Sequence, residues 1–320
     1  MVVFGISCGG QVEAPTTAPV ANNIVVENLP TEPVLRPTAT TTVILNLPTP
    51  SPTETGSAIS APATARQLLT EGNKLFKQGS YEEAVKSFDE AIRLDPKLAA
   101  AHNSRGAAYQ RLGQFMTALQ DHDEAIRLDQ LFASAYANRG EVFRELGQLE
   151  KAFQDYDQAL RINPSGYMTH NNRGLAYKAL GEFENAIEDF DESIRLNPQY
   201  DNAYGNRGNL YGQLGQGLLA IQDHNEAIRL NPDLALAYNY RGQLYQILGQ
   251  SERAVVDFDE AIRLDPLFAD AYYNRGLAYA ELGMEEQARA DLDQAGSFDS
   301  EGAEEKNDRG PVRESSPDDR

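Results

Sequence analysis

Glycine recurs in this chain every 34 residues, at 72, 106, 140, 174, 208, 242 and 276. In six of the seven places an arginine precedes it: Ser104-Arg105-Gly106, Asn138-Arg139-Gly140, Asn172-Arg173-Gly174, Asn206-Arg207-Gly208, Tyr240-Arg241-Gly242 and Asn274-Arg275-Gly276. The first copy is eroded to Thr70-Glu71-Gly72. A long fixed period without a gap excludes one globular core and points to stacked units, each touching only its neighbours. Seven windows follow, 65–98, 99–132, 133–166, 167–200, 201–234, 235–268 and 269–302.

Window 235–268 shows the unit. Tyr238, Arg241, Gly242 and Tyr245 fall at helical spacing, and Gly249 follows where a left-handed helix cap takes glycine. A second amphipathic stretch sets Ala254, Phe258, Ala261 and Ile262 on one face, and Pro266 ends it. The spacing therefore predicts helix–turn–helix in every window. Glycine inside a helix costs ~1 kcal/mol against alanine. Its return seven times implies a close approach there, with small residues such as Ala84, Ala118 and Ala186 as the expected partners.

Composition divides the chain. Residues 1–64 hold 9 of the 16 prolines and 11 threonines, and read as an extended linker over 11–64. Residues 1–10, ending a short apolar run at Cys8, resemble a truncated bacterial lipoprotein signal, in which that cysteine would carry the lipid. Gly5 and the lack of a basic residue depart from that pattern. Residues 303–320 read as a disordered polar tail. The windows carry 23 Lys+Arg against 38 Asp+Glu, most of the formal −20. That acidity speaks against nucleic acid and against an anionic membrane as partners of the repeats. With one cysteine, no internal disulfide or cysteine-based zinc site can form.

The 34-residue period, the Gly…Tyr…Ala…Phe…Pro pattern and the helical hairpin resemble the tetratricopeptide repeat over about three quarters of the chain. The family's tryptophan is absent, replaced by Tyr136, Tyr204, Tyr238 and Tyr272 or by His102 and His170. The resemblance implies an all-α tetratricopeptide α-solenoid, a right-handed superhelix of antiparallel helix pairs. It also implies a concave face, lined by the first helices, that takes a protein or an extended peptide.

The arginines bring their own counter-charges. Asp121, Asp155, Asp189, Asp223, Asp257 and Asp291 lie sixteen residues after them, while the first repeat has Glu71 and Ser87 and lacks both partners. This joint loss predicts a pair inside each hairpin rather than with the preceding repeat. A basic ladder for an acidic ligand is the alternative. On the implied concave face the expected binding ladder is Asn138, Asn172, Asn206, Tyr240 and Asn274, with Asn171, Asn239, Arg144 and Lys178 beside it. Side-chain amides offer both donor and acceptor and can hold a peptide backbone. Recent duplication alone would also produce the row. Leu69, Asn103 and Ala137 stand where family members that bind chaperone C-termini have a lysine-rich clamp.

No catalytic constellation emerges. His102, His170, His122 and His224 take aromatic positions, none at metal-ligand spacing, and the glycines form no phosphate loop. The reading is a noncatalytic scaffold without cofactor or metal, anchored extracytoplasmically at the cell envelope through Cys8. A cytoplasmic adaptor and an accessory subunit of a secretion or polysaccharide-processing complex are the alternatives. Glycine-rich repeat five, with Gly205, Gly212 and Gly217, is expected to be the softest unit. The last hairpin is expected to leave an apolar outer edge.

Overall fold

The computed structural model describes residues 64–308, and every regular element among them is helical. The readings made for 1–63 and 309–320, Cys8 and the linker among them, lie outside the described residues. The first helices of the seven hairpins are α1 (Ala65–Lys77), α3 (Ala99–Arg111), α5 (Ala133–Glu145), α7 (Tyr167–Leu180), α9 (Asp201–Gln213), α11 (Ala235–Ile247) and α13 (Ala269–Glu281). The second helices are α2 (Tyr81–Leu94), α4 (Phe115–Leu128), α6 (Leu149–Ile162), α8 (Phe183–Leu196), α10 (Gly217–Leu230), α12 (Ser251–Leu264) and α14 (Glu285–Asp308). Each of the seven predicted windows contributes one helix pair.

Two turn chemistries alternate along the chain. Within a hairpin a glycine takes positive φ, as at Gly181 (77°), and the chain reverses into the second helix. Between hairpins an Asp or Asn side chain closes the turn. Asp95 Oδ1 accepts from the Lys97 N–H at 3.1 Å, and Asp129, Asn163, Asn197, Asn231 and Asp265 do the same two residues on. Proline is not required for the stop: α4 ends on schedule although Gln130 stands where five other turns have proline.

The helical glycines meet the close approach expected of them, with a different partner. A Cβ at Gly174 would lie 2.8 Å from the Phe190 ring and 3.2 Å from the Ala186 carbonyl oxygen. At Gly72 and Gly242 the rings of Phe88 and Phe258 press closer still. The ring of the second helix therefore lies on the glycine itself. The small residues Ala84, Ala118, Ala152, Ala186, Ala220 and Ala254, all fully buried, let the two backbones come near enough for that.

Consecutive first helices touch each other from α1–α3 through to α11–α13, whereas no two second helices do. In a stack of hairpins the layer whose members touch lies on the inside of the bend. The first helices therefore form the inner layer among the described residues.

The C-terminal helix differs from the earlier second helices in two ways. Helix α14, with Asp299 in the turn register but Ser300 in place of the proline, runs on to Asp308. Two apolar positions of its outer side are also lost. Where earlier second helices offer Val85, Leu119, Phe153, Ile187, Ile221 and Val255 to the next repeat, α14 has exposed Arg289. Where they offer Ile or Leu at 92, 126, 160, 194, 228 and 262, it has exposed Gly296.

The glycine contacts separate two substitutions that propensity alone would treat alike. Gly174→Ala should destabilise the array by about 1–3 kcal/mol through overpacking. Gly205→Ala, whose Cβ meets nothing within 4 Å, should stabilise by about 0.5–1 kcal/mol. Denaturant melts of the two variants read this directly, and equal shifts would contradict the packing account.

Candidate binding face

Each arginine sits where three helices meet. Arg173 donates from Nε to Asp189 Oδ2 at 2.8 Å and from a terminal nitrogen to Oδ1 at 2.9 Å. Its other terminal nitrogen donates to Asp157 of the preceding repeat at 2.8 Å. Arg105, Arg139, Arg207 and Arg275 repeat the arrangement with Asp121 and Asp89, Asp155 and Asp123, Asp223 and Asp191, and Asp291 and Asp259. Arg241 does so with Asp257 and, across the junction, Asn225. The pair inside each hairpin is as read from the sequence. The pairing with the preceding repeat, set aside there, exists as well. Sequence reasoning missed it because it used the aspartate sixteen residues after the arginine and not the one sixteen before.

Aromatic rings hold the guanidinium from the sides. Arg207 lies 5.8 Å from the ring centres of both Tyr204 and Tyr211, and Arg275 lies 5.4 Å from Tyr272 and 5.7 Å from Tyr279. In repeats two and four a histidine replaces the earlier tyrosine, with Nδ1 of His170 2.8 Å from Asp189 and that of His102 3.6 Å from Asp121. The exchange shows in the carboxyls. Burial pushes Asp155 and Asp223 up, and the arginine offsets it only in part. Burial acts on Asp121 and Asp189 too, but arginine and histidine together hold them below the ordinary range.

The expected asparagine ladder is in the structure a set of ties between first helices. Asn138 donates to Asn103 at 3.1 Å, Asn206 to Asn171 at 2.9 Å and Asn274 to Asn239 at 3.0 Å. Asn171 donates in turn to Asn172 at 3.3 Å. Asn138, Asn171, Asn172 and Asn239 are buried, while Asn206, Tyr240 and Asn274 are half-buried. The ties alternate, joining repeats two and three, four and five, six and seven. At the junctions between, Ala137 faces the Asn172 register and Gly205 the Tyr240 register, so the amide needed for a tie is missing. The structural unit is thus two repeats long on this face, a 68-residue alternation within the 34-residue one. Its signal was the paired Asn103, Asn171 and Asn239.

Arg144 is turned onto Glu141, a carboxylate 1% exposed that also accepts from Tyr156 Oη at 2.8 Å. Burial and the Glu141 charge keep the Tyr156 phenol well above its ordinary value. Lys178 is half-buried. Of the four histidines, burial drives His122 down to about 3 and His224 to about 4, so both are neutral core rings, His224 stacked 5.8 Å from Tyr240. No group of three or more His, Cys, Asp or Glu side chains is placed to hold a metal among the described residues.

Models of the tetratricopeptide repeat match residues 72–113, 140–181 and 247–283, and others match 167–200, 201–234, 225–256 and 269–300. The chain is a tetratricopeptide repeat protein. It is 46% identical over 52 residues to Hsp70-Hsp90 organizing protein 1 of Glycine max, a stretch that is 16% of this chain and 9% of that protein. A tetratricopeptide repeat protein from Parabacteroides merdae superposes with a TM-score of 0.54 at 25% identity, covering 73% of this chain and 93% of the other. The APC/C hetero-tetramer Cut9-Hcn1 gives 0.64 at 19% identity over 68% of this chain and 44% of that one, a likeness of fold. Tetratricopeptide repeats are in general noncatalytic scaffolds that bind proteins or peptides.

Two measurements test the electrostatics. Asp189→Ala removes the bidentate acceptor and should cost about 3 kcal/mol, whereas Asp157→Ala, at a half-exposed carboxylate, should cost under about 1 kcal/mol. Equal losses would overturn the ranking. For His224 the folded value lies below the unfolded one near 6.5, so the unfolded chain binds the extra proton between pH 6.5 and about 4. Stability must therefore fall on acidification there, by up to ~1.4 kcal/mol per pH unit from this ring. His224→Phe, matching Phe190 and Phe258, should flatten the stability–pH curve in that window relative to wild type. An unchanged slope would show that His224 is protonated in the fold.

Proposed function

We propose that this protein is a noncatalytic scaffold that takes a partner protein or an extended peptide on its first-helix face, at the bacterial cell envelope. The observation that carries the reading is the inner layer of touching first helices. The arginine charges are neutralised against the second helices, which leaves amide and apolar side chains on the open side. Asn138, Asn172, Asn206 and Asn274 then set the spacing of the helices that receive the partner, with Tyr240, Asn239, Asn171 and Lys178 around them. The envelope placement is supported by Cys8 after its short apolar run and by the Pro/Thr stretch that would tether the repeats. A cytoplasmic adaptor lacks that support. The chaperone-organising relative matches over only 52 residues. Leu69, Asn103 and Ala137, the positions of the family's lysine clamp, are buried here, and Asn103 is tied to Asn138, which disfavours a chaperone tail as partner.

One experiment in cells addresses face and place together. A photo-cross-linking amino acid at Gln243, on the first-helix face, should give a discrete adduct in the membrane fraction. The same group at Met116, exposed on α4, should give none. Cys8→Ser should move the Gln243 adduct to the soluble fraction. An adduct at Met116 alone would refute the face, and one that is soluble in the wild type would refute the envelope placement.

A further inference from the structure

One edge of the array, at the turns inside hairpins five and six, departs from the chemistry of the others. Two junctions show which registers meet along it. Between repeats six and seven, Glu281 accepts from Gln246 at 2.9 Å and from Ser251 at 2.6 Å. Between repeats two and three, Glu145 accepts from Gln110 at 3.1 Å. Between repeats five and six the same three registers hold Ile247, Gly212 and Gly217. Neither glycine has a side chain to lay against the isoleucine, and Ile247 is 77% exposed. Leu244, one turn earlier on α11, lies over both glycines, 3.6 Å from a Cβ at Gly212 and 4.0 Å from one at Gly217. Next to Gly217, Leu218 is 71% exposed in a register that carries Glu82, Glu150, Glu184, Glu252 and Glu286 in five other repeats. Leu214 and Leu248 of the two turns are exposed as well and complete the patch. The edge is also free of charge. Residues 208–222 and 242–251 hold no Asp, Glu, Lys or Arg, the first being the longest such run in the repeats, in a chain of formal charge −20.

We propose that two copies of the chain associate through this edge, each laying Leu218 and Ile247 against the other's patch about a two-fold axis. Copies of like charge repel each other over most of their surface. They meet most readily where burial of apolar groups is not opposed by facing carboxylates, and a neutral apolar patch is complementary to itself. A partner of opposite charge has no such need, since the acidic helices offer it carboxylates elsewhere. The pairing does not depend on the first-helix face being the docking face. It would carry two such faces in one assembly.

The test is sedimentation velocity of the full chain over a concentration series. Wild type should pass from one chain mass to two. Added salt should strengthen the association, because screening lessens the repulsion and no ion pair is lost. Leu218→Glu restores the acid of five other repeats at the start of a helix, where a carboxylate is favourable. It should weaken association about tenfold or more, as loss of a central apolar anchor does. Adding Ile247→Glu, which matches Glu145 and Glu281, should leave a monomer with unchanged helical circular dichroism. Met116→Glu, in the register of Leu218 but in repeat two, replaces a 67% exposed methionine and should change nothing. A wild type that stays monomeric at every concentration would overturn the assignment. So would a dimer that survives in the double variant, one that salt dissociates, or one that Met116→Glu weakens as much as Leu218→Glu does.

Discussion

The arginine that clasps two second helices from a first helix is the interaction on which the array depends. A hairpin by itself has one carboxylate for its arginine. The guanidinium fork has a further donor edge, and only the preceding hairpin satisfies it. Register between repeats is then specified by geometry that hydrophobic contact alone would leave loose. The first repeat confirms the logic by its exception. It has no predecessor among the described residues, carries Glu71 in place of arginine and Ser87 in place of the bidentate aspartate, yet keeps Asp89, which the next repeat's Arg105 uses. Such buried pairs add little net stability over an apolar substitute, so their contribution here is to positional order.

Steric closeness makes the clasp possible. The helical glycine removes a Cβ where the ring of the partner helix lies, and the buried alanine beneath brings the backbones together. That approach sets the reach from the arginine to the aspartate on the second helix. With these arginine charges drawn to that side, amides make up much of the first-helix face, with Arg144 and Lys178 beside them. The amides are then largely used in pairing first helices two by two.

Both ends of the array are finished chemically. Glu71 at one end and Asp293 at the other bring like charges to the places where an internal junction joins arginine to aspartate. Arg289 and Gly296 also remove the apolar residues with which α14 would hold a following repeat. Head-to-tail growth is thereby disfavoured at these positions, while Tyr273 and Leu277 stay exposed on α13.

Periodicity by itself determined the helix pairs, their turns and the arginine–aspartate pair within a hairpin, because these are local: residues sixteen apart in one hairpin meet whatever the rest of the chain does. The helical glycines were legible as close approaches for the same reason, though the ring of Phe190 and not Ala186 alone proved to fill the space at Gly174. The candidate ladder was legible as positions but not as partnerships. Asn138 and Asn103 lie in different repeats, and whether their amides face solvent or each other depends on how far one hairpin is offset from the next. The second carboxylate of each arginine has the same origin. These are contacts across junctions, and only the stacking of the hairpins, a sum of many weak packing choices, decided which side chains met there.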